Sequence, residues 1–189
     1  MSDPPPRWSL VGTMLAAPAF IGAVIVYVPY ALSGWHPSPT TLGGDPVRWT
    51  GAGLILLALP VLADFLLRFV REGHGTPMPL APPRRLVTGG VFRYVRNPGY
   101  LAAIAILLGQ ALLLGSGPIL LYTGAMALAF HLFVLWVEEP ALRRTFGATY
   151  DAYRRQVPRW LPRRPRRTGD TDPPPPKRVR EDGDHRAHH

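Results

Sequence analysis

The chain contains no cysteine, which excludes disulfide staples, thiolate metal sites and cysteine nucleophiles together. Lysine is almost missing as well: it occurs only at Lys177, so the formal charge of +9 rests on arginine. His74, in the Gly- and Pro-rich loop EGHGTPMPLAPP, has no second histidine or carboxylate at ligand spacing, and no metal is expected. No repeat is apparent, and nothing supplies a recognition helix or a stacking platform for nucleic acid, so no nucleic-acid partner is expected either.

Charge is also scarce in four long stretches: Leu10 to Leu32, Gly51 to Val70, Tyr100 to Gly115 and Ile119 to Val137. A hydrocarbon core of about 30 Å requires roughly 17 to 25 apolar residues of a spanning helix, so these read as membrane spans. The first has an apolar core longer than a signal peptide's and no convincing cleavage site after it, and is expected to be retained. The third is short, and Gly115, Ser116, Gly117 and Pro118 should join it tightly to the fourth. Pro18, Pro29 and Pro60 interrupt spans, and each removes a backbone donor whose partner carbonyl must be satisfied elsewhere.

Arginine then sets the orientation. The connection from 71 to 98 carries Arg71, Arg84, Arg85, Arg93 and Arg96, and the segment after Val137 is richer still. Both are expected on the cytoplasmic side, with both termini cytoplasmic and an even number of spans between. Arginine in place of lysine, with abundant Ala, Gly and Pro, suggests a GC-rich genome and hence a bacterial plasma membrane. The expected fold is all-α: an integral membrane helical bundle of about four transmembrane helices, with a C-terminal amphipathic helix over a cytoplasmic pocket. Residues 1–162 form the membrane domain, with its core motifs in 84–162, and the basic, Pro-rich stretch 163–189 reads as a disordered tail with affinity for anionic membrane lipids.

Two stretches carry the chemistry. The first is LVTGGVFRYVRNPGY, residues 86–100. Gly89 and Gly90 permit conformations closed to other residues, and Pro98 opens a helix whose first turn offers free N–H groups to an anion. The second is WVEEPALRRTFGATYDAYRRQVPRWLP, residues 136–162, where Glu138 and Glu139 follow directly on a span. An amphipathic helix then carries Leu142, Phe146, Tyr150 and Tyr153 on one face before Pro158 ends it. Two carboxylates exceed what a helix N-terminus needs, which favours function for the pair. Within the spans, Asp64 and Arg68 lie four apart and read as a structural ion pair, whereas His131 is open between an interhelical hydrogen bond and a polar pocket.

The order of LVTGGVFRYVRNPGY, an apolar hairpin and EEPALRRTFGATYDAYRRQVPRWLP resembles the isoprenylcysteine carboxyl methyltransferases and the related membrane phospholipid methyltransferases. The resemblance covers roughly Arg84 to Pro162. It implies an enzyme that moves a methyl group from S-adenosyl-L-methionine to a lipophilic acceptor. By position it assigns the cofactor pocket to Arg84, Arg85, Leu86, Val87, Phe92, Asn97, Pro98, Gly99, Tyr100 and Glu138, under a helix bearing Tyr150 and Tyr153. His131 and Glu139 are the catalytic candidates, as proton acceptors. Three positions depart from the family pattern: Asn97 replaces a common His, Phe92 a usual Tyr, and Val134 a substrate-binding Arg of the isoprenylcysteine enzymes. A prenylcysteine carboxylate would lack its cationic partner here. A nicotinamide-dependent membrane reductase of the sterol-reductase type and a non-enzymatic membrane protein are the rival readings.

Overall fold

The computed structural model describes residues 19–38, 44–72 and 86–164, and among them every regular element is helical. Helix α1 runs Ala19–Ser33, α2 Asp45–Glu72, α3 Pro98–Leu114 and α4 Gly117–Phe133. A π turn, Val134–Glu138, carries α4 without a break into α5, Glu139–Gln156.

Among the described residues two helices are long and apolar enough to cross a membrane, Asp45–Arg68 and Gly117–Gln156. The second has 40 residues, which at 1.5 Å each is roughly 60 Å, twice a hydrocarbon core. Its apolar part ends at Val137, and from Glu138 on it is charged, so only the part before Glu138 suits a hydrocarbon core. Two shorter apolar helices, Ala19–Ser33 and Pro98–Leu114, pack with them. Large apolar side chains stand on the outer surface, among them Leu57 (75 % exposed) and Leu121 (77 %). Such side chains would be unfavourable in water and are suited to lipid. Pro18 and the whole of 1–18, 39–43, 73–85 and 165–189 lie outside the described residues, so the fates of His74, Arg84, Arg85 and the tail do too.

The centre is α3, where Leu107 and Ala111 are wholly buried. It packs against α2 through two glycines. A Cβ on Gly51 would lie 2.6 Å from the Gly109 carbonyl oxygen, and one on Gly109 would lie 2.5 Å from Ile55 Cγ1. Only hydrogen fits at this crossing, as is common where helices approach closely in lipid. Ile106 and Ala103 of α3 share a cluster with Val24 and Ile25 of α1, Ala58 of α2 and Phe130 of α4.

Helix α1 shows how a span accommodates proline. Pro29 has no N–H for the Ile25 carbonyl, and the preceding turn, Ala23–Tyr27, widens to π geometry. Gln110 of α3 donates its Nε2 to Ile25 O at 2.8 Å, and the Tyr122 hydroxyl of α4 donates to Val24 O at 3.2 Å. Neighbouring helices thus satisfy α1's carbonyls, as expected for the freed backbone. Between α3 and α4 the hairpin is as tight as the sequence implies. Gly115 takes φ 63° and closes α3, and Ser116 Oγ caps α4 by accepting from Ile119 N.

Candidate functional site

Four local features build the site. Gly89 leads into a short 3-10 turn, Gly90–Arg93, in which Gly90 adopts φ 51°. Pro98 at the first position of α3 fixes the start of that helix. Gly99 and Tyr100 follow with amide N–H groups that, by helix geometry, have no intrahelical acceptor. The third feature is the π turn, whose extra residue shifts the helix phase just before the acidic pair. Glu138 comes to face Tyr100, while Glu139 faces the arginines. The fourth is Gly147, with φ 48° and ψ −124°, which kinks α5. Beyond the kink Tyr150 and Tyr153 return over the loop before α3: Tyr153 donates to Phe92 O at 2.7 Å and Tyr150 Oη accepts from Arg96 Nη1 at 3.1 Å.

These elements enclose a cavity of about 470 Å³. Its polar end carries Arg96, Asn97, Tyr100, Glu138, Tyr150 and Tyr153; its apolar end carries Phe20, Ile21 and Val24 of α1, Leu62 of α2, and Met126 and Phe130 of α4. At the polar end the Tyr100 hydroxyl donates to Glu138 Oε2 at 2.9 Å, and the Tyr100 ring lies 4.8 Å from that of Phe130. Asn97 is held by donation of Nδ2 to Arg159 O at 3.3 Å.

Behind this wall sits an ionic cluster. Glu139 accepts from Arg96 Nη1 at 3.0 Å and from Arg159 Nε and Nη2 at 2.7 and 3.0 Å. Burial tends to raise the Glu139 carboxyl, but the Arg159 hydrogen bond and the charges of Arg96, Arg159 and Arg154 outweigh it and hold the group below the ordinary carboxylate range. In turn the Glu139 hydrogen bond raises Arg159. The backbone completes the tie, with Arg96 N donating to Pro158 O and Arg163 N to Tyr94 O, so residues 157–164 strap the loop before α3 onto the bundle.

Of the residues expected in the cofactor pocket, Leu86, Val87, Phe92, Asn97, Pro98, Gly99, Tyr100 and Glu138 all line this one cavity. Arg84 and Arg85 lie outside the described residues. The two catalytic candidates are placed elsewhere. His131 Nδ1 accepts from Trp160 Nε1 at 3.0 Å, a hydrogen bond to the strap after α5 and not between helices, and Glu139 is spent on two guanidinium groups; neither lines the cavity. Asp64 and Arg68 form the expected pair at 2.9 Å, but Asp64 also accepts from Val91 N at 3.1 Å. Arg96 was legible only as one more loop arginine. Its side chain is 8 % exposed and lines the cavity, a placement that depends on Glu139, 43 residues away. Among the described residues no three His, Cys, Asp or Glu side chains come together as metal ligands would.

A helical bundle with membrane-length apolar helices and a part-polar, part-apolar cavity defines the class as a membrane protein. The comparisons give the family. The sequence model of the phospholipid methyltransferase family matches residues 48–149, and the chain belongs to that family. A relative, the protein-S-isoprenylcysteine O-methyltransferase of Schizosaccharomyces pombe, is 35% identical over 77 residues, which is 41% of this chain and 33% of the relative. The chain thus matches about a third of that relative's length. No solved structure matches it significantly.

Proposed function

We propose that the chain transfers a methyl group from S-adenosyl-L-methionine to a lipophilic acceptor, with the cofactor at the polar end of the cavity and the acceptor at the apolar end. The observation that carries this is the single cavity joining the Tyr100–Glu138 pair to a wall of α1 and α4 side chains. Family membership supports it.

The residues present fit the cofactor. A carboxylate at Glu138 suits its hydroxyl or ammonium groups, and the N–H groups of Gly99 and Tyr100, which at the α3 start have no intrahelical acceptor, suit its carboxylate. At Gly99 a Cβ would strike the Phe65 ring at 2.8 Å, so glycine is required for this approach of α3 to α2. When bound, the cofactor supplies an electrophilic methyl on a sulfonium. The chain's part is then to exclude water and to hold the two partners in line within about 3 to 3.5 Å, which supplies much of the acceleration without a dedicated base. Neither His131 nor Glu139 is retained as a base in this reading, because both are held outside the cavity.

In the bilayer, α1 to α4 are taken as four spans, with the loop before α3 and all of α5 on the arginine-rich, cytoplasmic side. That arrangement gives the cofactor access from water and the acceptor access from lipid. Val134 is 1 % exposed and carries no charge where the isoprenylcysteine enzymes have a cation, which counts against a prenylcysteine carboxylate and leaves the acceptor unassigned.

The test is transfer of label. Purified protein in liposomes, given methyl-labelled cofactor and a total lipid extract, should place label in the organic phase, and Glu138→Ala should abolish it. Folded protein that labels no lipid fraction, and instead oxidises NADPH with a sterol-like substrate, would overturn the reading.

A further inference from the structure

Helix α2 meets the loop before α3 at three consecutive points. Asp64 accepts from Val91 N at 3.1 Å and from Arg68 Nε at 2.9 Å. The Arg68 guanidinium lies across Gly90, whose φ of 51° brings the backbone so close that a Cβ would overlap it. Phe65 stands beside Phe92, ring centroids 5.9 Å apart, and fills the space over Gly99. Residues 64, 65 and 68 occupy one face of one turn of α2, and the loop residues they meet, Gly90, Val91, Phe92 and Gly99, lie in the stretch 90–99 that leads into the cavity's polar wall.

We infer that Asp64 is a positioning residue for cofactor binding: by fixing the Val91 amide and the Arg68 guanidinium it sets the Gly90–Asn97 loop, and with it the first turn of α3, in the receptive geometry. This rests on the proposed cofactor site. It assigns to a membrane-length helix a role that an intrahelical ion pair would not have. The usual i, i+4 pair stabilises its own helix. Here the carboxylate also takes a donor 27 residues away, at the glycine end of the loop, whereas the ties to α5 and the 157–164 strap hold its far end from Phe92 to Asn97.

Two variants grade the contact. Asp64→Asn keeps an acceptor for Val91 N–H but loses the ion pair, whereas Asp64→Ala loses both. Titration with S-adenosylhomocysteine should give affinities in the order wild type, Asn, Ala. The alanine form should be weaker by about tenfold, the worth of one charge-assisted hydrogen bond. Turnover at saturating cofactor should be nearly kept, with the loss in KM for the cofactor. Hydrogen exchange on the free proteins supplies a readout independent of ligand: amides 90–95 should exchange faster in Asp64→Ala, with α3 beyond its first turn unchanged. Faster exchange together with weaker binding establishes the role. Wild-type affinity in the alanine variant overturns this inference alone, as does a fall in thermal stability without a change in affinity. A wild-type protein that exchanges as described but binds no S-adenosylhomocysteine removes the cofactor site, and the inference with it.

Discussion

Glu139→Gln separates the structural from the catalytic reading of the second glutamate most sharply. The substitution keeps the shape and removes the charge. In the wild type one carboxylate, 9 % exposed, neutralises Arg96, 8 % exposed, and is gripped at 2.7 and 3.0 Å by Arg159. Removing one partner of a buried pair costs about 3–5 kcal/mol, because the other is left charged and uncompensated. Arg159 is 28 % exposed and can turn to water, so the lower end, about 3 kcal/mol, applies. For a chain of this size that lowers the unfolding midpoint by roughly 6–12 °C. Scanning fluorimetry in detergent measures the shift, and turnover per folded molecule at saturating substrates is measured on the same preparation. The structure predicts a lower midpoint with turnover kept within a few-fold. A base would lose about a hundredfold or more in turnover. An unchanged midpoint with turnover down by that amount would refute the placement of Glu139 outside the chemistry.

The same cluster sets an acid limit. The folded-state pKa of Glu139 lies below its unfolded value, so its stabilisation is fully present above the unfolded carboxylate range and is lost as pH falls through the folded pKa; melting at falling pH should show a loss that Glu139→Gln lacks. At the α2–α3 crossing, Gly109→Leu must push the helices apart against Ile55 and the Gly51 carbonyl, at about 1–3 kcal/mol or more, and should cut yield and midpoint in detergent. Gly147→Ala meets no neighbour but demands φ near 48° with ψ −124°, at about 1–3 kcal/mol, and should release the Tyr150–Tyr153 turn, seen as faster exchange after residue 147.

Much of this was readable from residue types because the signals are local. Apolar length marks α2 and the α4 stretch, Gly115 to Pro118 marks the hairpin, and Pro98 marks the start of α3. The family motifs bring eight of the ten expected pocket residues to one cavity; the other two lie outside the described residues. The same patterns could not show what depends on helix phase. Adjacent glutamates look equivalent in the sequence, but they point about 100° apart on a helix, and the phase set through the π turn brings Glu138 to Tyr100 and Glu139 to the arginines. Nor can an arginine in a basic loop announce that it is buried. Arg96 differs from exposed Arg93 only through partners on α5. His131 shows the same limit, since its partner Trp160 lies on a strap beyond the helix.

The most direct test of the central claim is calorimetric titration of the detergent-purified protein with S-adenosylhomocysteine, run beside Glu138→Ala. Saturable one-to-one binding by the wild type, lost in a variant that still melts cooperatively, is the predicted result. Equal binding by both proteins would contradict the site, and no binding by folded wild type would contradict the activity proposed for it.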